Sequence, residues 1–312
     1  MRLGRSARRA LAIVLGIALL AACGGRPGSS GEADRPTGRA GPTALNVVAT
    51  TTVFADIVAN IGGSRISVSS IIPPGVGPED YEPKPDDAKR LADASVVISN
   101  GVGLDDFLDR LIRSGVQGDA ARLVLGDGIP TVTVDGEENP HFWLDPSLVS
   151  QYYVPAIVAK LTELDPAGKA TYEANAKTYI AAIDRLDQEL KTQVDEIPAV
   201  NRKLVTFHDA FPYFARHFGF ELVGVILENV GQEPTAAELG ALVDRVEAAH
   251  VRAVFSEAQF SPKLSETLAR EAGIERVVST LYTDSLGAAP AETYLGMMQW
   301  NMNQIVEALR PA

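Results

Sequence analysis

Several common signatures are missing from this sequence of 312 residues, and each absence narrows the range of functions. There is one cysteine, Cys23, so no disulfide can form within the chain. There is no HExxH zinc-protease motif, no GxSxG nucleophile elbow and no phosphate-binding P-loop, which argues against the enzymes that carry them. The apolar run at 10–22 is shorter than the roughly 20 residues of a membrane-spanning helix. The composition is that of a globular protein, with 46% hydrophobic and 22% charged residues.

A surplus of positive charge is also missing from the body of the chain. The formal net charge is −12, although residues 1–43 carry seven arginines against Glu32 and Asp34, a net charge of +5. Residues 44–312 therefore carry a net charge of −17. So acidic a body would be repelled by phosphates, and we expect no nucleic-acid partner. The same charge suits a protein that meets cations.

The N-terminal residues are typical of an export signal followed by a tether. Four arginines precede the apolar run, which ends at Cys23 in the sequence LAAC and resembles a bacterial lipobox. Removal of a signal peptide at 1–22 and acylation of Cys23 would anchor the protein to a lipid bilayer. Residues 23–43 are rich in glycine, proline, serine and arginine and predict a flexible tether. We expect an exported protein, either lipid-anchored at the outer face of the cytoplasmic membrane or periplasmic.

Short runs rich in β-branched residues alternate with helical stretches in the rest of the chain. The predicted strands are 45–50, 66–72, 95–99, 203–207, 221–226, 252–256 and 275–279. The predicted helices between and after them are 53–61, 85–94, 236–249, 262–272 and 291–308. This alternation predicts an α/β fold of two Rossmann-like lobes with parallel sheets, an N-terminal lobe at 44–163 and a C-terminal lobe at 199–312.

One long helix is predicted in the segment that joins the two lobes, 164–198. Its apolar residues recur every three or four positions and form a single stripe. Asp165 is expected to cap the N-terminus of this helix, and Pro198 to end it. A helix over 166–197 would be about 48 Å long, enough to cross both lobes and to join them rigidly.

Two potential metal ligands follow predicted strands of the second lobe. His208 comes directly after one strand, and Asp284 lies just beyond another. Open α/β sheets place their ligands at the carboxyl ends of the strands, so we expect both residues in the cleft between the lobes. Glu257, at the end of a third strand, could support the site or be a solvated loop residue. His217 is predicted to lie in a helix and His250 to follow the end of helix 236–249, and neither is expected to be a ligand.

The first lobe offers a histidine and several carboxylates. His141 lies in the turn NPHFWLDP, and the loop PPGVGPEDYEPKPDD presents Glu79, Asp80 and Glu82. One imidazole and one carboxylate from each lobe would complete the coordination of a divalent transition metal. The sequence therefore predicts a metal site between the lobes.

These segments resemble the metal-binding lipoproteins of bacterial zinc and manganese ABC importers, the ZnuA/TroA type. The resemblance covers nearly the whole chain after residue 44 and rests on PPGVGPEDYEPKPDD, NGVGLDDFLD, NPHFWLDP, SEAQFSPK and YTDSLG, with the residues around His208. It implies metal ligands at Glu79, His141, His208 and Asp284. It also implies a transported Zn²⁺ or Mn²⁺ ion and a membrane permease of an ABC importer as the partner. We expect the protein to act as a monomer.

One position departs from the family pattern. Most members have histidine where this chain has Glu79, so the position could be filled by Glu79, by Asp80 or by water. We expect Glu79, because a carboxylate can occupy that corner of a zinc or manganese site. His208 follows the zinc-type pattern, whereas manganese members more often have glutamate there. The chain lacks the histidine-rich loop of many zinc members, yet the affinity order of divalent metals favours zinc, which we expect as the cargo.

Three other functions compete with metal capture. A zinc hydrolase would use His141, His208 and Asp284 as ligands, with Glu79 as the general base and an open metal position, and it would turn over an ester or a peptide. An adhesin of the same family would need a surface for attachment, of which the sequence gives no sign. A siderophore receptor would need a broad cleft lined with arginine and aromatic residues.

Overall fold

The computed structural model of the protein describes residues 44–78, 81–106, 111, 121–134, 136–227 and 232–311. Its N-terminal half contains four parallel strands: Leu45–Ala49 (β1), Ile66–Ser70 (β2), Val96–Ser99 (β3) and Ala121–Val124 (β4). They are hydrogen-bonded in the order β2-β1-β3-β4. The central strands β1 and β3 are largely buried, which explains their continuous apolar runs. The edge strand β4 was not predicted, because it is only partly buried and a charged residue, Arg122, interrupts its short apolar sequence ARLV.

The C-terminal half contains two parallel ladders. After a short antiparallel ladder of Thr133–Val134 (β5) and Glu137–Glu138 (β6), the strands are Lys203–His208 (β7), Glu221–Leu227 (β8), Ala253–Glu257 (β9) and Arg276–Leu281 (β10). The ladders join β7 with β8 and β9 with β10, and β7 lies beside β9. The carboxyl ends of β7, β9 and β10 therefore lie at one edge, just before the loop that contains Asp284. This edge positions the candidate site.

Eight helices of seven or more residues occur in the part of the chain that the structure describes. They are Thr52–Gly62 (α1), Pro85–Ala92 (α2), Val154–Leu164 (α3), Lys169–Val194 (α4), Pro212–Phe218 (α5), Ala236–Ala248 (α6), Lys263–Glu271 (α7) and Tyr294–Leu309 (α8). The predicted parallel α/β fold is confirmed by this order of strands and helices. None of the described helices combines the length and the apolar content needed to cross a membrane.

The long helix α4 has 26 residues, so it is about 39 Å long at the standard helical rise. It packs against α1 and α3 from the N-terminal half and against α8 from the C-terminal half. Its buried residues form the predicted stripe: Tyr172, Ala176, Tyr179, Ile183, Leu186, Leu190 and Val194. The stripe is what binds the helix to both halves of the chain.

The start of the long helix differs from the prediction. Residues Pro166–Gly168 form a 3₁₀ turn, and Asp165 makes no capping hydrogen bond. Its carboxylate instead accepts two hydrogen bonds from Arg65, at 2.7 and 2.9 Å, and one from the Tyr172 hydroxyl at 2.7 Å. The fork of an arginine satisfies both carboxylate oxygens at once, and this competes with capping.

One hydrophobic core extends through both halves. Five of its fully buried aromatic residues come from different elements: Phe54, Trp143, Tyr172, Phe211 and Tyr294. Residues 43–312 form one compact unit. The N-terminal sheet and the C-terminal ladders are therefore held together by shared packing as well as by α4.

Candidate metal site

Three of the predicted ligands lie together in the interior. His141, His208 and Asp284 each offer one ligand atom, and these atoms all lie within 4.8 Å of one another. The Nε2 atoms of the two imidazoles are 3.4 Å apart, and Asp284 lies 3.3 Å from His141 Nε2 and 3.4 Å from His208 Nε2. All three residues are at most 5% exposed. Two imidazole nitrogens and one carboxylate at this spacing suit a divalent transition metal.

His141 is oriented by the turn in which it lies. Its Nδ1 is 3.1 Å from the Asn139 side-chain oxygen, which also accepts a hydrogen bond from the His141 backbone amide at 3.0 Å. The next residues form the 3₁₀ turn Phe142–Leu144, and the Asp145 carboxylate then accepts from the Ser147 backbone amide. With Nδ1 facing Asn139, the other ring nitrogen faces His208 and Asp284.

His208 ends β7 and is oriented by a carboxylate. Its Nδ1 lies 3.1 Å from Glu257 Oε1, at the end of the neighbouring strand β9. The ring is 2% exposed and Glu257 is 0% exposed. Of the two alternatives for Glu257, the solvated loop residue is therefore wrong, because the carboxylate is buried against His208.

Each oxygen of Asp284 lies near one imidazole, Oδ1 at 3.3 Å from His141 Nε2 and Oδ2 at 3.4 Å from His208 Nε2, but the two oxygens differ in their hydrogen bonds. Oδ2 accepts hydrogen bonds from Thr283 Oγ1 at 3.0 Å and from Gln259 Nε2 at 3.1 Å. Oδ1 is buried and has no hydrogen-bond partner among the described residues. Burial alone would raise the pKa of Asp284, but the positive potential of His208 and the contact with His141 outweigh it and lower that pKa. An ionised carboxylate with a spare oxygen is suited to coordinate a cation.

The loop that contains Asp284 is attached to the N-terminal half on both sides of the aspartate. Trp143 Nε1 donates to the carbonyl oxygen of Thr283 at 2.7 Å. The Gly75 amide donates to Ser285 Oγ at 2.7 Å, and the Leu286 amide donates to Thr52 Oγ1 at 2.8 Å. These contacts position Asp284 opposite His141.

The fourth predicted ligand, Glu79, and its alternative Asp80 lie outside the described residues, as does Cys23. Their neighbours Pro78 and Tyr81 line the same cavity as His141. Glu82, which the loop also offered, is exposed.

His217 lies in α5 and takes no part in the cluster of three ligands, as predicted. Its Nδ1 is 3.0 Å from Asp145 Oδ1, and its Nε2 is 2.5 Å from Asp187 Oδ1. Because the two nitrogens point in opposite directions, the two carboxylates cannot share one metal ion with this ring. Burial alone would lower the pKa of His217, but the hydrogen bonds to both carboxylates outweigh it and raise that pKa to about 9.

Sequence reasoning missed the His217 network entirely. Asp145 and Asp187 precede His217 by 72 and 30 positions. Asp145 follows the 3₁₀ turn Phe142–Leu144 and Asp187 lies in α4, so tertiary packing brings both to α5. The three residues are spread over 72 positions of the chain, so they leave no local signal in the sequence.

Comparison with known proteins gives consistent results at the level of family and fold. A family model described as "Zinc-uptake complex component A periplasmic" matches residues 47–308. The chain is 33% identical over 300 residues to the manganese-binding lipoprotein MntA of Halalkalibacterium halodurans, covering 95% of this chain and 97% of that one. It is 29% identical over 319 residues to the iron ABC transporter substrate-binding lipoprotein MtsA of Streptococcus pyogenes, covering 98% and 99% of the two chains. Among solved structures, the periplasmic zinc-binding protein TroA of Treponema pallidum superposes with a TM-score of 0.79 at 27% identity, covering 86% of this chain and 100% of that one.

Proposed function

This chain belongs to the family described as zinc-uptake complex component A, the metal-binding substrate-binding proteins of ABC transporters, and from that premise we propose that it captures zinc outside the cytoplasm and delivers it to a membrane permease. The observation that carries the proposal is the convergence of His141, His208 and Asp284 in a buried cluster. Members of the family are binding components and not enzymes, so the zinc-hydrolase alternative is not supported. No comparison supports the adhesin alternative either.

Zinc is proposed over manganese on the chemistry of the donor atoms. Two imidazole nitrogens and a carboxylate oxygen are borderline donors, and a site of this kind binds zinc more tightly than manganese by the usual affinity order. The names of the relatives include manganese, iron and zinc, so relatedness alone does not choose among them. The choice therefore depends on the site.

Glu79 is proposed as the fourth ligand. Three protein ligands leave a tetrahedral zinc ion one position short. Pro78 and Tyr81, the described residues on either side of positions 79–80, line a cavity together with His141, which supports the proposal. The Tyr81 hydroxyl donates to Asp87 at 2.6 Å, which fixes the loop on the C-terminal side of Glu79.

The remaining proposals concern location and assembly. We propose that the signal peptide at 1–22 is removed, that Cys23 is acylated and attaches the protein to a bilayer, and that residues 23–43 form the tether. We also propose that 44–163 and 199–312 act as two lobes joined by 164–198, that the protein acts as a monomer, and that the lobes present the metal to the permease.

The direct test is a metal titration of residues 43–312, the compact unit, after removal of metal with a chelator. Zn²⁺ and Mn²⁺ would be titrated separately, in competition with a chelator of known affinity. We expect one tightly bound metal per chain and a lower Kd for zinc. Binding of neither metal would disprove the proposed function, and tighter binding of manganese would disprove the choice of cargo.

Three alanine variants assign the ligands in the same assay. His208→Ala and Glu79→Ala should each raise the Kd by at least about 10- to 100-fold, since that is the loss already seen when a group behind a ligand is removed. Asp80→Ala is the matched control, since it removes a carboxylate from the adjacent position, and its Kd should stay within about twofold of the wild-type value. A larger effect of Asp80→Ala than of Glu79→Ala would move the fourth ligand to Asp80, and no effect of either would leave water in that position.

A further inference from the structure

Glu257 is a buried carboxylate that the set of four proposed ligands does not use. It ends β9 in the same way that His208 ends the adjacent β7, so both side chains lie at one edge of the sheet. Its Oε1 is 3.1 Å from His208 Nδ1, the ring nitrogen that faces away from the cluster. His208 Nε2, on the opposite side of the ring, faces His141 and Asp284. Glu257 therefore lies behind the ligand and not beside the metal position.

Apart from His208, the described surroundings of Glu257 contain no group that compensates its negative charge. The residue is 0% exposed, and neither carboxylate oxygen has a well-aligned hydrogen bond from the described residues. The ion pairs of Glu257 within the described ranges involve His208 alone. A buried charge is costly unless it is paired, so a fully buried carboxylate in this position needs a partner. The Nδ1–H group of His208 supplies one, and a cation bound to Nε2 would supply further compensation.

The two imidazoles of the cluster are supported by different chemistry. His141 Nδ1 faces the neutral side-chain oxygen of Asn139 at 3.1 Å, whereas His208 Nδ1 faces a carboxylate at the same distance. A carboxylate behind a ligating histidine fixes the tautomer and the orientation of the ring and makes the ring a stronger donor. It also adds a negative charge that acts on the cation through a buried and therefore weakly screened medium.

We propose that Glu257 is a positioning residue for metal capture: it holds the proton of His208 on Nδ1, directs Nε2 at the metal, and adds a buried negative charge behind the ligand to those of the ligating carboxylates. This inference rests on the proposed function, because it takes His208 to be a ligand. It goes beyond that function by assigning a role to a residue outside the ligand set.

Two substitutions separate the role of the charge from that of the hydrogen bond. Glu257→Gln keeps the size and an oxygen acceptor but removes the charge. His208 Nδ1 would then face a neutral amide oxygen, as His141 Nδ1 faces that of Asn139. Glu257→Leu removes both. Asp165→Asn is the matched control, since it neutralises a carboxylate that is also bonded to a basic side chain, Arg65, but takes no part in the cluster of ligands.

The experiment measures the Kd for Zn²⁺ by chelator competition, together with the ¹⁵N NMR spectrum of the His208 ring in the zinc-loaded protein. We expect the Kd to rise about 10-fold in Glu257→Gln and about 100-fold in Glu257→Leu. The wild-type spectrum should show a protonated Nδ1 and a metal-bound Nε2, and Glu257→Leu should shift the Nδ1 signal. Asp165→Asn should lower the melting temperature without changing either measurement.

The outcomes are distinguishable. If the wild type binds no zinc, the proposed function fails and this inference fails with it. If the wild type binds tightly and both Glu257 variants bind within about twofold of it, with unchanged His208 signals, the proposal is overturned. If Glu257→Leu does not fold, the isosteric Glu257→Gln decides. Loss of affinity in Glu257→Leu with none in Glu257→Gln would keep the positioning role and overturn the role of the charge.

Discussion

His217 lies between two carboxylates, and its replacement by glutamine tests whether a protonated imidazole stabilises the fold. The ring is 11% exposed, and the side chains of Asp145 and Asp187 are 6% and 15% exposed. His217→Gln removes the positive charge and leaves two largely buried carboxylates with less compensation. We expect the free energy of unfolding at neutral pH to fall as a result.

The magnitude follows from the pKa of His217, which is raised from 6.5 to about 9. One pKa unit corresponds to about 1.36 kcal/mol, which sets an upper limit of about 3.4 kcal/mol for this group. Solvent reaches the Asp187 side of the network, and such screening reduces the contribution to about 2 kcal/mol. For a compact unit of this size, that is a decrease in melting temperature of about 4 °C.

The raised pKa of His217 determines in which direction its contribution to the free energy of unfolding changes with pH. Because the pKa of His217 is higher in the folded state, its contribution is fully present below pH 6.5 and is lost as the pH rises through about 9. For Asp145 and Asp187, burial raises the pKa but the hydrogen bonds to His217 lower it more, so both pKa values lie below the usual one. Their contribution is present above pH 3.8 and is lost as the pH falls through the lowered values.

The assay is urea unfolding followed by circular dichroism, in the presence of EDTA, at several pH values between 6 and 9.5. The wild type should exceed His217→Gln by about 2 kcal/mol near pH 6, and the difference should approach zero near pH 9.5. His250→Asn is the control, since His250 is exposed and has a φ of 53°, which asparagine tolerates. Parallel pH profiles for the wild type and His217→Gln would refute the reasoning.

Three further predictions concern the loop that contains Asp284 and the core beneath the site. Ser285→Ala removes the acceptor of the Gly75 amide and so loosens the loop that carries Asp284, and metal should dissociate several-fold faster in stopped-flow chelation. An unchanged rate would show that this contact does not help to hold Asp284 in place. Gly287→Ala would place a Cβ atom 2.3 Å from the ring of Tyr282, so it should cost about 1–3 kcal/mol in urea unfolding and also weaken metal binding; normal values of both would contradict the close packing of this loop. Phe54→Ala empties a fully buried position and should cost about 3–5 kcal/mol by the same unfolding assay, whereas a cost below 1 kcal/mol would show that the core can collapse there.

The central strands and most of the helices could be predicted from the sequence because burial leaves a local pattern. Strands β1, β3, β7 and β9 are covered on both faces and therefore read as short apolar runs. The edge strand β4 and the two-residue strands β5 and β6 leave no such run, and their pairing depends on neighbours distant in sequence.

The site could be predicted in part. His208 and Asp284 were identified because ligands gather at the carboxyl ends of parallel strands, and His141 because of its turn. The buried contact between Glu257 and His208 depends on β9 lying beside β7, which the sequence does not state. Asp165 shows the opposite failure: its position before a proline favours a cap, but Arg65, 100 positions earlier, takes both of its oxygens.

The position of Trp143 gives the protein an optical reporter of its own. The chain has two tryptophans, and Trp143 is fully buried with its ring 5.1 Å from that of His141. Its indole N–H is bonded to the carbonyl oxygen next to Asp284, so a movement of that loop alters the environment of the chromophore. The other tryptophan, Trp300, donates to Thr280 near the surface. In a Trp300→Phe variant, the emission spectrum would come from Trp143 alone, and the loop could be followed in real time without an attached dye.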